Sequence, residues 1–312
     1  MRKALVVVAT ALILGAALFY VLTIPRRIDP ATLPTTANAA FDAAAAAGRG
    51  ERIFWAGGCT SCHAAPGAKG EDRLKLPGGA PLVTAFGSFR APNISPHKAD
   101  GIGAWSLADF ANAMQRGVDP DGRHLYPAFP YTSYIRMTPT DIADLFAYMQ
   151  TLPKVVGKAP DNSLSFPFNI RRGIGLWKLF FLNDTPETIL PATATPAARA
   201  GQYLVEGPGH CGQCHTSRTL GGLGGLHTSR WLAGAPNLEG KGRTPNITPH
   251  ASGIGAWSAS EIAEYLETGF TPDYDSVGGA MVEVQSNMAQ LTSADRAAIA
   301  AYLKAIPPQP KD

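Results

Sequence analysis

A long apolar segment opens the chain. Residues 4–24 contain no charged side chain, and two basic residues lie on each side of them. At ~1.5 Å per residue, a helix of this length spans the hydrocarbon core of a bilayer, whereas the apolar part of a signal peptide usually has only about 7–15 residues. The pattern therefore predicts a membrane anchor over residues 1–27. A cleaved signal peptide is the alternative, because Ala37-Asn38-Ala39 resembles a small-residue cleavage site.

Behind the anchor, helical periodicity is confined to short segments that long loops separate. Residues 107–116 and 259–268 each follow a serine with an acidic residue three positions on, the pattern of an N-terminal capping box. Residues 138–152 and 292–306 begin at a threonine, and their apolar side chains keep to one stripe. The 33 glycines and 26 prolines among 312 residues are typical of a chain with many loops. We therefore predict short helices that each bury one face.

The cysteines of the chain lie in two identical frames, Cys59-Thr60-Ser61-Cys62-His63 and Cys211-Gly212-Gln213-Cys214-His215. The spacing C-x-x-C-H is the attachment signature of haem c, in which two thiols form thioether bonds to one porphyrin and the adjacent histidine binds the iron. A redox C-x-x-C does not require the histidine, and a zinc site would bring both pairs together. The sequence therefore predicts two covalently bound haem c groups with iron. Their cysteine attachment residues and proximal histidine ligands are Cys59, Cys62, Cys211, Cys214, His63 and His215.

Other residues around these frames are duplicated as well. Pro-Asn-Ile-Ser-Pro-His at 92–97 returns as Pro-Asn-Ile-Thr-Pro-His at 245–250. Gly-Ile-Gly-Ala-Trp-Ser at 101–106 returns at 253–258. An internal repeat of this length predicts two copies of one structural unit.

The repeat divides the chain behind the anchor into four parts. We expect a tether at 28–45, a first domain at 46–152 and a second domain at 197–308. Residues 153–196 belong to neither copy and contain six prolines, so they predict a semi-rigid connector between the domains.

These motifs resemble tandem class I c-type cytochromes that carry two haems, and more narrowly the membrane-bound cytochrome c subunits of periplasmic dehydrogenases such as quinoprotein alcohol dehydrogenase. The similarity covers nearly all of the chain after residue 40. It implies a mainly α fold: two tandem cytochrome c domains, with short helices and long loops around a covalent haem, behind an N-terminal transmembrane helix. Those subunits usually carry three haem motifs, and this chain has two.

In the second domain, the resemblance implies Met281 as the distal ligand of the iron. Met281 follows Gly269 by 12 residues, in the loop where class I domains present their methionine. A methionine in this position raises the reduction potential of the haem. Met288 is the competing thioether, and we expect it to fill space in the core instead.

In the first domain, the same spacing from Gly117 reaches Phe129, where the resembling subunits often have methionine. Phenylalanine cannot bind iron, so we predict Met137 as the distal ligand and keep His124 as the alternative. Met137 directly precedes a helix cap, where an apolar residue commonly packs as a hydrophobic staple. An open distal position is the third possibility.

The function that we expect is electron transfer in the respiratory chain. The resemblance implies a bacterial inner-membrane protein whose haem domains lie in the periplasm, since haem c is attached outside the cytoplasm. Its electron donor would be a periplasmic dehydrogenase or a quinol-oxidising complex, and its acceptor a soluble cytochrome or a terminal oxidase. Nucleic acid is not an expected partner, because the net charge is only +3. The alternative is a dihaem enzyme of the peroxidase or thiosulfate dehydrogenase type, with catalysis at the first haem.

Overall fold

The computed structural model describes residues 1–34, 43–237 and 242–310. The cleavage-like sequence at 37–39 lies outside these residues, as does much of the predicted tether. Over the described part the chain is mainly helical, with strands of only two or three residues. The prediction of short helices joined by long loops is therefore confirmed.

The N-terminal helix α1 (Arg2–Leu22) has no buried residue. Of the helices that the structure describes, it is the one long and apolar enough to cross a membrane. The helix ends at Thr23, whose side chain donates a hydrogen bond to the carbonyl of Phe19 (2.7 Å) and is fully buried. Helix α1 therefore remains exposed along its length, while its C-cap residue Thr23 enters the protein.

Two groups of helices follow, one in each half of the chain. In the first domain they are α2 (Ala43–Ala56), α3 (Cys59–His63), α4 (Leu107–Ala111), α5 (Tyr131–Tyr134) and α6 (Pro139–Met149). The connector contains α7 (Ile174–Phe181). In the second domain they are α8 (Pro196–Glu206), α9 (Gly212–His215), α10 (Ala259–Thr268), α11 (Met281–Met288) and α12 (Ser293–Ala305).

Short strands and single helical turns occupy parts of the loops. Strand β2 (Gly87–Phe89) pairs antiparallel with β1 (Leu82–Thr84) and with β3 (Ser163–Leu164), so the connector adds an edge to the first domain. Strands β4 (Ala235–Pro236) and β5 (Arg243–Thr244) pair in the second domain. Turns of 3-10 helix lie at Pro30–Thr32, Gly70–Leu74, Arg171–Gly173, Leu220–Gly222 and Thr228–Arg230.

The predicted helix starts are observed. The side chain of Ser106 accepts a hydrogen bond from the backbone N–H of Asp109, and Ser258 and Glu261 form the equivalent capping box in the second domain. Beyond Ala111 the helix widens to a π-helical turn at Asn112–Arg116. The predicted helix at 138–152 ends earlier, at Met149, because the chain turns there toward Pro153 and the residue before a proline disfavours helix.

Each domain is built on a pair of helices that cross at a glycine. Helix α2 packs against α6 in the first domain, and α8 packs against α12 in the second. A Cβ atom on Gly50 would lie 2.0 Å from the carbonyl oxygen of Asp144, and one on Gly201 would lie 1.9 Å from that of Ala298. Only glycine permits this backbone approach, which brings Phe54 and Ile142 together in the core.

The domains pack on each other through matching contacts. Arg52 of α2 forms an ion pair with Asp295 of α12, with Nη2 and Oδ1 2.6 Å apart. In the mirrored position, the hydroxyl of Tyr203 in α8 donates a hydrogen bond to Asp141 of α6. Each first helix therefore touches the start of the last helix in the other domain, which gives the pair an approximate twofold symmetry.

The described part of the predicted tether packs against the first domain. The backbone N–H of Ile28 donates to Oδ1 of Asn112 (2.8 Å), and the guanidinium of Arg27 donates to the carbonyl of Pro120 (2.8 Å). Leu33 is 9% exposed and belongs to the core of this domain. Residues 28–34, the described part of the predicted tether, are therefore held against the first domain by residues far along the chain.

The glycine crossing gives a stability prediction. We expect Gly50→Ala to destabilise the haem-loaded protein by about 1–3 kcal/mol, because the new methyl group overlaps the Asp144 carbonyl. Gly48→Ala is the matched control in the same helix, since nothing lies within 4 Å of a Cβ there, and it should stabilise by up to about 1 kcal/mol. Chemical denaturation followed by circular dichroism measures both. Equal stability of the two variants would contradict the close crossing.

Candidate functional site

The two C-x-x-C-H frames form one-turn helices that follow directly on the first helix of each domain. Cys59 and Cys62 lie three residues apart in α3, so their side chains share one helix face. Cys211 and Cys214 have the same relation at the start of α9. In the part of the chain that the structure describes, no disulfide bond joins these four cysteines. The spacing of each pair suits attachment to one bound group.

The adjacent histidines are oriented by a backbone carbonyl. Nδ1 of His63 lies 2.8 Å from the carbonyl oxygen of Pro92, and Nδ1 of His215 lies 2.8 Å from that of Pro245. Nδ1 carries the hydrogen and donates it in a hydrogen bond to the carbonyl, so Nε2 keeps its lone pair, as a metal-binding histidine requires. Sequence reasoning missed these proline carbonyls, although their repeat in both Pro-Asn-Ile motifs was a usable signal.

The asparagine of each Pro-Asn-Ile motif fixes the loop that carries this carbonyl. Nδ2 of Asn93 donates to the carbonyls of Val155 (2.8 Å) and Gly157 (2.7 Å), just after the first domain's last helix. Nδ2 of Asn246 donates to the carbonyl of Gln309 (2.7 Å) in the second domain. The end of each domain is therefore tied to the loop that orients its histidine.

The electrostatic setting keeps the ligand groups neutral. Burial raises the pKa of the Cys59 and Cys211 thiols to about 12, so both are protonated at pH 7 before attachment. Desolvation lowers the pKa of His63 and His215 despite their hydrogen bonds to carbonyls. A neutral imidazole is the form that binds a metal ion.

The surroundings of the motifs fit a porphyrin. Partly buried apolar side chains border the same core as Cys59, among them Trp55, Ile94, Trp105 and Phe129. The equivalent border beside Cys211 contains Ile247, Trp257, Tyr265 and Met281. Among the described residues no group of three or more His, Cys, Asp or Glu side chains forms a metal site, which leaves the zinc alternative without ligands. Two thiols, one oriented imidazole and an apolar border are the donor set that haem c needs.

In the second domain, the predicted distal residue lies at the edge of the core. Met281 is the first residue of α11 and is partly buried against the cluster that contains Cys211. Met288, at the other end of this helix, is 4% exposed and belongs to the core. Met281 therefore has the accessible side chain of the two.

In the first domain, the three residues considered for the distal side have different settings. Phe129 borders the core that contains Cys59, as Met281 does in the second domain. Met137 is 3% exposed, and its carbonyl accepts a hydrogen bond from Gln115 (2.8 Å). It directly precedes the cap of α6. Its thioether side chain is buried in the core against which Cys59 packs. Met137 stays a prediction.

His124 is engaged elsewhere. Its Nε2 atom lies 2.9 Å from the carbonyl oxygen of Thr23, and its Nδ1 atom lies 3.2 Å from Nζ of Lys178. Both ring nitrogens thus contact the end of the anchor and the connector. This geometry does not fit the alternative in which His124 binds iron.

Both motif helices lie at the interface between the domains. Thr60 donates to Oδ1 of Asn287 (2.8 Å), and Nδ2 of Asn287 donates to Ser61 (3.0 Å). Conversely, Nε2 of Gln213 donates to the hydroxyls of Thr132 (3.1 Å) and Ser133 (2.9 Å). Both residues between the cysteines of the first motif, and Gln213 of the second, are therefore held by a short helix of the other domain.

The attachment residues give a direct prediction. We expect the double variant Cys59→Ala, Cys62→Ala to keep one haem, because Cys211 and Cys214 still provide a complete frame. Mass spectrometry would register the loss of one haem, and the reduced alpha absorption would fall by about half. The reciprocal pair of substitutions at Cys211 and Cys214 is the control and should lose the other haem. Retention of two haems in either variant would refute the assignment.

Comparison with known proteins identifies one family in two stretches of the chain. A model of the cytochrome c family matches residues 47–153 and 198–307. A "Diheme cytochrome c-type" protein of Cereibacter sphaeroides is 51% identical over 308 residues, which cover 98% of this chain and 99% of that protein. The predictions of two tandem cytochrome c domains and of two haem c groups with iron are confirmed.

Other relatives are subunits of larger assemblies. The "Fructose dehydrogenase cytochrome subunit" of Gluconobacter japonicus is 36% identical, over 83% of this chain and 52% of its own length. The cytochrome c subunit of "Alcohol dehydrogenase (quinone)" of Gluconacetobacter polyoxogenes is 35% identical, over 84% of this chain and 56% of its own length. The chain therefore spans about half the length of these two relatives.

Proposed function

The chain belongs to the cytochrome c family and transfers electrons, and on this premise we propose that it is a membrane-anchored subunit that takes electrons from a dehydrogenase. The observation that carries the proposal is the exposed apolar helix α1 in a chain whose relatives are cytochrome subunits of dehydrogenases. The haem irons supply the chemistry, since each cycles between the ferric and ferrous states. The protein holds them, sets their surroundings and fixes their separation.

We assign the iron-binding roles as follows. His63 and His215 would hold the haem irons through Nε2, each oriented by its proline carbonyl. Met281 in the second domain and Met137 in the first would supply the thioether ligands. Thioether ligation would exclude water from the iron and raise the reduction potential.

The interface keeps the two haem motifs at a fixed separation. The ion pair between Arg52 and Asp295 and the hydrogen bond between Tyr203 and Asp141 hold the domains at two points. Asn287 of the second domain also forms hydrogen bonds with Thr60 and Ser61 of the first motif helix. Electrons pass between the domains across this packed region, with no need for either domain to move.

Anchoring in the inner membrane is supported by α1. Residues 4–22 of this helix carry no charge, and nearly all of them are exposed, which is costly in water and favourable in lipid. With α1 in the membrane, both haem domains stand on its periplasmic side, where haem c is attached. The donor is a periplasmic dehydrogenase, as the named roles of the fructose and alcohol dehydrogenase relatives suggest. The acceptor is a soluble cytochrome or a terminal oxidase.

Copurification from mildly solubilised membranes tests the proposed donor. We expect a dehydrogenase to remain bound to the tagged chain, and its substrate to reduce both haems in the isolated complex. A wash with alkaline carbonate tests the anchor separately, since a spanning helix keeps the protein in the membrane pellet. Isolation of the chain alone, reducible by a quinol but by no dehydrogenase, would overturn the assignment of the donor.

The residues near the first haem motif support a second candidate function. Phe129 occupies the position in the first domain that Met281 occupies in the second, and both ring nitrogens of His124 are engaged. If Met137 serves only packing, the first haem has an open distal side and the chain becomes a dihaem enzyme of the peroxidase or thiosulfate dehydrogenase type.

Substitution of Met137 separates these two functions. We expect Met137→Leu to keep both haems but to lose the methionine–iron charge-transfer absorption of one of them, because leucine preserves volume and lacks sulfur. Met149→Leu is the matched control, since Met149 is 1% exposed in the same core and lies within α6. An unchanged spectrum for Met137→Leu, with a stability loss of roughly 1 kcal/mol or less, would favour the enzyme.

The ion pair between the domains gives a test of the electron path. We expect Arg52→Ala to slow electron exchange between the haems, measured by pulse radiolysis, and to destabilise the protein by about 1 kcal/mol. Arg49→Ala is the control, because Arg49 lies in the same helix and pairs with Asp144 inside the first domain. The control should lose similar stability and keep its exchange rate. Equal rates in both variants would show that the interface does not limit the transfer.

A further inference from the structure

Helix α7 of the connector has its charged side turned inward. Lys178 is 9% exposed, and its ammonium group donates to the carbonyls of Arg116 (2.7 Å) and Gly117 (2.6 Å). It also lies over the ring of Tyr131, 4.8 Å from the centroid. The opposite face is apolar, since Leu179 is 40% exposed and Phe180 is 77% exposed. This distribution is the reverse of that on a helix at a water-facing surface.

A neighbouring turn extends the apolar surface. The indole N–H of Trp177 donates to the carbonyl of Leu223 (2.8 Å), which joins α7 to the turn at Leu220–Gly222. Leu223 is 50% exposed and Leu220 is 70% exposed. We call the exposed side chains of Leu179, Phe180, Leu220 and Leu223 the connector patch. Such a grouping of large apolar side chains marks a surface that binds something.

The start of α7 packs against the end of the membrane anchor. The guanidinium of Arg172 donates to the carbonyl of Tyr20 (2.9 Å) and lies 4.2 Å from the centroid of the Tyr20 ring. A Cβ atom on Gly175 would lie 2.8 Å from the Cα atom of Thr23. Since α1 leaves the bilayer at these residues, α7 begins at the depth of the lipid head groups. Its eight residues extend about 12 Å from that point.

We propose that α7 lies in the surface of the bilayer that α1 crosses, with the connector patch against the lipid acyl chains. This inference rests on the proposed anchoring of α1. Phe and Trp side chains beside cationic residues are typical of helices that lie in a membrane interface. Arg172 and the exposed Arg26 are placed to contact lipid phosphates. Continuity with the anchor makes lipid, and not a second protein, the occupant of this surface.

Photolabelling tests the proposal on the full-length, haem-loaded protein. It is reconstituted in phosphatidylcholine–phosphatidylglycerol vesicles that contain a phospholipid with a diazirine in its acyl chain. Trypsin releases α7 in peptides 173–178 and 179–199, on which mass spectrometry locates lipid adducts. We expect adducts on α1 and on peptide 179–199. Phe180→Glu should lower the adducts on that peptide by about fivefold or more and leave those on α1 unchanged.

Val156→Glu is the matched control, because Val156 is 78% exposed in the connector and lies outside the patch. It should change neither set of adducts. Adducts on α1 with none on peptide 179–199 would overturn the proposal for α7 while leaving the anchor intact. Absence of adducts on both would instead overturn the anchor itself. Equal labelling of peptide 179–199 in the wild type and in Phe180→Glu would also count against the patch.

Discussion

The orientation of one imidazole ring in each domain is the constraint that the remaining structure serves. A hydrogen bond to a proline carbonyl fixes each ring, and an asparagine side chain fixes the loop that carries the carbonyl. That asparagine is bonded to the segment behind the last helix, and the last helix crosses the first helix at Gly50 or Gly201. The first helix leads directly into the motif that contains the histidine. The contacts of each domain thus form a closed chain around its motif histidine, which explains how so few helices and so many loops keep a defined geometry.

The two domains share this chain of contacts. They differ in the residues at their interface and in the residues beside their haem motifs. Arg52 pairs with an aspartate at one end of the interface, and Tyr203 bonds to the equivalent aspartate at the other end. Phe129 and Met281, which follow Gly117 and Gly269 at the same spacing, each lie partly buried against the core of their own domain. The internal repeat therefore describes the shared fold, whereas the residues beside the two motifs differ.

Local patterns in the sequence were sufficient for a large part of this structure. The C-x-x-C-H frames, the capping boxes at Ser106 and Ser258 and the apolar N-terminal segment each depend on residues within a few positions of one another. The π-helical turn at Asn112–Arg116 was missed because Asn112 bonds to Ile28, far away in the chain. The hydrogen bonds of His124 were missed for the same reason. Its partners are Thr23, at the end of α1, and Lys178 of the connector. Periodicity and spacing carry no information on such distant partners.

The packing of residues 23–34 on the first domain has a consequence for encounters between proteins. Thr23 is fully buried where α1 joins the first domain, and Arg27, Ile28 and Leu33 contact that domain. With α1 in a membrane, as we propose, the molecule drifts within the plane of that membrane and rotates about a single axis perpendicular to it. A collision partner in the same membrane therefore meets its flanks at a constant height. The rotation about that axis is then the one angle that must be correct when the two proteins meet. Two proteins that tumble freely in solution would need several angles to be correct at once.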